Sequence, residues 1–315
     1  MPFPSTSLDA PSIRQAEQLR RALAWVDTHL DQPLDAAALA DRAAMSRFHF
    51  HRVFAAHMGC SVATYVTWRR LQRACALLVS GPEPVLEIAL EAGYESAPAL
   101  AKAMRREWGT TPTAVRRGQP GPWQQAEPPW RAERPPKEGV PEMNITRYAD
   151  LPTGLVALTA TARGMVNHTL ERAAKQAFGE LVPAIARAGL MAQAGSWISL
   201  CPDDPQGPDD PNCRYVAGVI FGFSMAHGQG RGAQAAVALS GTLAWQPLAG
   251  GRYAVFTHIG PYAELHRVWT GIYRDWLPAS GHTLRDAPPL ELMINSPQDT
   301  PPEKLHTEIW IPVAD

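Results

Sequence analysis

The chain has 315 residues, 45% of them hydrophobic and 19% charged, with a formal net charge of −1. That length suits two domains that each bury a core, the composition is that of a soluble globular protein, and the near-zero total gives no general reason to expect a nucleic-acid partner. The charge is divided, however: residues 12–117 carry 14 Lys+Arg against 10 Asp+Glu and sum to +4, and the remainder sums to −5. Arg42 to Arg73 holds Arg42, Arg47, Arg52, Arg69, Arg70 and Arg73 with no acid, a local positive field that phosphates reward.

Residues 1–11 read as a loose lead-in. A helix is expected from about Ser12, with Leu19, Leu23, Val26 and Leu30 near one face, ended by Pro33. Next come a helix from Asp35 to Ala44 and another from Ser46, a natural N-cap. On the latter, Phe50, Val53 and Phe54 share an apolar side, while Phe48, His51, Arg52 and Ala55 point away. Gly59 stops it, and Ser61 caps a longer helix that ends near Ser80-Gly81-Pro82. The pattern then restarts. Val85 to Ala92 resembles Ala36 to Ala43 at a shift of 49, and then at 50 Arg52 matches Lys102, Phe54 matches Met104, Gly59 matches Gly109 and Ser61 matches Thr111. Two helix-turn-helix units joined by one long helix are implied. Their outer helices would reach successive major grooves about 34 Å apart.

These residues carry a family resemblance. Residues 12–117, quoted as LADRAAMSRFHFHRVFAAHMGCSVATYVTWRRLQRACALL and IALEAGYESAPALAKAMRREWGTTPTAVRR, resemble the all-α double helix-turn-helix DNA-binding domain of the AraC/XylS transcription regulators. By that resemblance Phe48, His51 and Arg52 face bases, Arg52 being able to donate a bidentate pair to guanine and Phe48 to lie against a thymine methyl. Arg47 and Arg69 suit phosphate contacts, which position without specifying. The second unit departs from the family pattern: Ala97, Pro98, Ala99 and Ala101 face out, Leu100 and Met104 face in, and Lys102, Arg105 and Arg106 remain to touch DNA. That unit is expected to hold backbone with little base readout.

Gly118 to Glu142 holds seven prolines and no periodic apolar pattern, so 118–142 reads as a linker. Trp123 and Trp130 are unexpected in a free tether and suggest that part of it lies along a domain surface. From Met143 the pattern becomes α+β: strands at Asn144–Tyr148 and Leu155–Ala162, a helix from Thr169 to Ala188, and strands at Ser196–Cys201 and Tyr215–Phe223. The order recurs with strands at Thr242–Pro247 and Arg252–Ile259, an amphipathic helix from Tyr262 to Pro278, and strands at Leu290–Asn295 and Glu308–Val313. SWISLCPDD echoes ELMINSPQD, so a duplicated β-α-β-β unit is expected, folded as two curved sheets with helices on one side and a cleft between the halves. GQGRG at 228–232 is not the dinucleotide fingerprint and reads as a flexible connection.

Residues 143–315 resemble the gyrase-inhibitor-like effector domain, best in GGRYAVFTHIGPYAELHRVWTGIYRDWL and PPLELMINSPQDTPPEKLHTEIWIPV, and the fusion order is that of Rob-type regulators. The resemblance implies an aromatic-lined cleft with a buried glutamate that holds lipophilic, often cationic compounds. Glu291 is then the central acid, Glu308 its reserve, and Tyr262, Trp269, Tyr273 and Trp310 the walls. A carboxylate among aromatics pairs with a cation while ring faces add cation-π attraction.

The expectation is a transcription regulator that binds double-stranded DNA and a small amphipathic or cationic effector, acting through presentation of its DNA-reading domain or through RNA polymerase. No catalytic residue is required by that reading. In the alternative, Glu291 and Tyr262 hydrolyse a reactive small molecule; a third reading is sequestration of a protein partner such as gyrase. No cofactor or metal is expected: Cys60, Cys75, Cys201 and Cys213 form no C-x-x-C pair and read as reduced packing cysteines, although Cys201 and Cys213 flank one loop. With no basic n-region, no apolar h-region and no 18-residue apolar run, the protein is expected in the cytoplasm without a membrane partner.

Overall fold

The computed structural model describes residues 10–34, 36–124, 128, 145–166, 169–200, 202–203 and 209–314, and the chain divides into units 1–138 and 139–315. The first unit is all helix: α1 (Ala10–Thr28), α2 (Ala36–Arg42), α3 (Arg47–Met58), α4 (Val62–Ser80), α5 (Val85–Glu91), α6 (Ala97–Trp108) and α7 (Pro112–Arg116). The repeat seen in the sequence is a repeat of caps. Ser46 and Ser96 each accept a backbone N–H at the start of α3 and α6, while Gly59 and Gly109 close those helices in the left-handed conformation (φ 71° and 60°). Ser61 and Thr111 then cap the helices that follow.

Packing follows the apolar spacing. Phe50, Val53 and Phe54 are buried on α3, and Phe54 meets Tyr65 of α4 edge-on at 5.7 Å. In the second unit of the repeat, Leu100 and Met104 are fully buried against Leu71, Leu78 and Ile88, each burial stabilising by about 1.5–3 kcal/mol. Trp123 packs on this same cluster, so the start of the proline-rich stretch is held to the helical unit; Trp130 lies outside the described residues.

The second unit is one sheet with helices on one face. Its elements are β1 (Arg147–Leu151), β2 (Val156–Arg163), α8 (Glu171–Arg187), β3 (Ala194–Leu200), β4 (Arg214–Ser224), β5 (Gln229–Ala233), β6 (Ala244–Pro247), β7 (Gly251–Ile259), α9 (Leu265–Gly271), α10 (Leu277–Ser280), β8 (Leu290–Met293) and β9 (His306–Pro312). The strands run in the order β1-β7-β9-β8-β3-β4-β2-β6, all antiparallel, with β5 on β4.

Two expectations need correction. The halves are not two sheets flanking a cleft, because β3 and β8 pair directly, Ser199 opposite Glu291 and Leu200 opposite Leu290. The GQGRG stretch is not a flexible connection: it forms β5, and a Cβ on Gly230 (φ 104°) would overlap the Gly222 carbonyl, so only glycine lets the two strands approach. The helix expected from Tyr262 runs without a gap but is not α throughout, passing from a 3-10 turn (Tyr262–Glu264) through α9 into a π turn (Ile272–Trp276) and then α10.

One sheet face packs Leu158, Ala160, Ala217, Val219 and Phe221 on Ala173, Ala177, Leu181 and Ile185 of α8. The other face has its own core of Ile198, Leu200, Val216, Ile220, Val255, Leu292 and Trp310. Among the described residues no helix is long and apolar enough to cross a membrane.

Candidate functional site

Glu291 stands on β8 with its side chain toward the helices, since its cross-strand partners Ser199 and Ile309 continue a row to Phe256, which meets Trp276 of the π turn at 4.8 Å. The Ser199 hydroxyl donates to one carboxylate oxygen at 2.6 Å and the Trp269 indole N–H to the other at 2.8 Å. Glu291 is 9% exposed, and among the described residues no basic side chain pairs with it. Trp269 stacks on Tyr273 with ring centroids 6.1 Å apart. A π turn adds a residue to the helical register, a distortion frequent at functional sites. Tyr262 is more exposed at 38%; burial of its phenol pushes its pKa up, and the negative charge of Glu291 adds to the rise. Glu291, Tyr262, Trp269 and Tyr273 thus gather on one side of the sheet.

Glu308 and Trp310 do not join them. The register opposes Glu308 to Leu292 and Trp310 to Leu290, which places both on the other face. There Arg147 forms a fork on Glu308 at 2.5 and 2.9 Å, the Trp310 indole N–H donates to the same carboxylate at 3.0 Å, and the guanidinium lies 5.3 Å from the Trp310 ring centroid. The sequence reading missed Arg147 and Ser199. Ser199 sits in the SWISL echo, but only strand pairing brings it to Glu291.

In the helical unit, α3 carries Phe48, His51 and Arg52 half-buried, and the Arg52 Nη1 donates to the Phe48 carbonyl at 2.8 Å. The side chain of Arg47 lies outside the described residues. Arg69 Nε lies 3.0 Å from an Asp27 carboxylate oxygen, and its side chain is 32% exposed. Burial pushes the Asp27 carboxyl up and Arg69 opposes that rise. Lys102 and Arg105 are exposed on α6, and Arg106 pairs with Glu107. His49 is buried on α3, 1% exposed.

Cys60 and Cys75 are free thiols, and Cys201 lies outside the described residues. Burial pushes Cys60 and Cys75 up to about 12. Iodoacetamide at pH 8 should therefore label both at least about a hundredfold more slowly in the native chain than in urea, read by peptide mapping. Equal rates would show them accessible as thiolates. Among the described residues no group of three His, Cys, Asp or Glu is placed to hold a metal ion.

A helix-turn-helix domain model matches residues 39–118, and a model described as a GyrI-like small molecule binding domain matches residues 160–314. The chain is similar to the Right origin-binding protein of Escherichia coli K12, 33% identical over 103 residues that cover 33% of this chain and 36% of that protein. It thus spans about a third of that relative's length. It is also similar to the Regulatory protein SoxS of Escherichia coli K12, 31% identical over 94 residues, 30% of this chain and 88% of SoxS. Among solved structures, the DNA-binding domain of AdpA in complex with a target DNA is 34% identical and covers 32% of this chain and 91% of that one, at a TM-score of 0.31. With capped helix-turn-helix repeats in the first unit and a match to nearly the whole of SoxS, the chain belongs to the AraC-type transcription regulators, carrying a GyrI-like small molecule binding domain as its second half.

Proposed function

We propose that residues 12–117 read double-stranded DNA and that residues 143–315, joined to them by the 118–142 linker, sense a small lipophilic cation at Glu291, altering transcription from the cytoplasm through RNA polymerase. The observation that carries the ligand half is a buried carboxylate, Glu291, that no basic side chain among the described residues pairs with. A buried charge is costly unless paired, and two hydrogen bonds do not neutralise it. The same sheet supplies an internal comparison: Glu308 also takes an indole N–H, and there the chain provides the cation itself, Arg147 beside the Trp310 ring. At Glu291 the aromatic wall of Trp269 and Tyr273 is present and the cation is left to a ligand.

We read this half as a duplicated β-α-β-β unit. The series β2-α8-β3-β4 and β7-α9-β8-β9 follow one another, and the sheet order is symmetric about the β8–β3 seam where Glu291 faces Ser199. For the DNA half, Phe48, His51 and Arg52 are the base-reading set and Lys102 and Arg105 the backbone-holding set. Arg69 meets Asp27 through Nε, and its two Nη groups are the ones to reach a phosphate.

Thermal unfolding of the full chain with tetraphenylphosphonium tests the ligand half. Ligand at 100 times its Kd stabilises by about 2.7 kcal/mol, so the melting temperature should rise, triphenylphosphine oxide should leave it unchanged, and Glu291→Gln should lose the rise. An equal rise in wild type and variant would refute cation binding at Glu291. The electrostatic closeness of Tyr262 to Glu291 supports the hydrolase as a second reading; product accumulating from a reactive ligand, and lost in Glu291→Gln, would favour it.

A further inference from the structure

On the sheet face opposite Glu291 lies a cavity of about 220 Å³, lined by Arg147 and Leu151 of β1, Phe223 of β4, Met225 and His227 of the turn after it, and Trp310 of β9. It has a dry floor, because Leu151, Phe223, Met225 and Trp310 are all buried. It also has side-chain donors at its rim. Arg147 spends Nη1 and Nη2 on Glu308, which uses two of the five N–H donors of a guanidinium and fixes the plane of the rest. His227 meets the Ser224 hydroxyl through Nδ1 at 2.9 Å, which leaves Nε2.

The acids near this cavity are accounted for. Glu308 has both oxygens engaged, by Arg147 and by the Trp310 indole N–H. Asp150 borders the cavity, yet along β1 it alternates with Arg147, Ala149 and Leu151 and shares the exposed outer pleat with Tyr148. A ligand entering here therefore meets side-chain donors at the rim and aromatic and thioether surface below.

We propose that this cavity is a second small-molecule site, specific for a small aromatic carboxylate, with the carboxylate at Arg147 and His227 and the ring against Trp310, Phe223 and Met225. Its volume is below the 300–1,000 Å³ of drug-sized sites, which limits the ligand to one or two rings. The two sheet faces then have opposite charge preference. At Glu291 the protein supplies the anion, and here it supplies the donors.

The test is isothermal titration of the full chain with 1-naphthoate, beside 1-naphthamide and 1-naphthylmethylammonium. We expect naphthoate to bind at one site, and the amide and the ammonium to bind at least roughly tenfold more weakly. Met225→Trp, which fills the floor, should abolish binding. Arg147→Lys keeps a cation for Glu308 but loses the fork, and should weaken binding roughly tenfold. His227→Gln, on an exposed turn where no buried charge loses its partner, is the variant that keeps the fold, and should weaken binding several-fold. Glu291→Gln should leave naphthoate binding unchanged, so failure of this site and failure of the cation site are read separately. No binding of naphthoate, binding that survives Met225→Trp, binding lost in Glu291→Gln, or an ammonium affinity equal to that of naphthoate would each overturn the proposal.

Discussion

Arg147→Ala lowers the stability of the second unit by about 3 kcal/mol, the low end for breaking a buried ion pair. Glu308, whose side chain is 7% exposed, is left without its counter-charge, while the 31% exposure of Arg147 lets some water reach the gap. The measurement is urea unfolding of the full chain followed by tryptophan fluorescence, with an unchanged m-value marking a pure stability effect. The double variant Arg147→Met, Glu308→Leu should recover most of the loss, because apolar replacement of a whole buried pair is often neutral or better. A loss below about 1 kcal/mol would mean that the pair behaves as a surface pair screened by water.

Arg52→Ala should cost about 1–3 kcal/mol of discrimination between a selected operator and its single-base variants, the range for a bidentate guanine contact. In the free protein the Arg52 Nη1 donates to the Phe48 carbonyl, so the side chain lies along its own helix and must leave that bond to reach a base. Lys102→Ala supplies the contrast. An exposed lysine on a phosphate should weaken every sequence alike and reduce the salt slope by about 1. Binding to the selected operator and to random DNA, each at three salt concentrations, separates the two behaviours. If Arg52→Ala weakens all sequences equally, Arg52 is a backbone contact and base reading falls to Phe48 and His51.

Most of the helical unit was legible because its signals are local. Caps at Ser46, Ser61, Ser96 and Thr111, left-handed glycines at 59 and 109, and apolar residues every three or four positions act within a turn or two of the chain. The strands were legible for the same reason, except β5, whose glycine-rich run has few side chains to make a pattern and is set by the approach of Gly222 to Gly230. The π turn within the helix from Tyr262 was also hidden, since no residue type marks where an i→i+5 bond replaces i→i+4.

The sequence by itself determined the two-unit plan, the helix-turn-helix duplication, and Glu291 among aromatics as the residue to watch. It grouped Glu308 and Trp310 with Glu291 because all stand on neighbouring strands and nothing local says which way a side chain points. Only the tertiary structure decided that. The β8–β9 register sets Glu291 opposite Ile309 and Glu308 opposite Leu292, and a shift of one residue exchanges sheet faces. It also brought Arg147 to Glu308 across 161 residues and Ser199 to Glu291 across 92, pairings carried by strand order, which sequence periodicity does not encode.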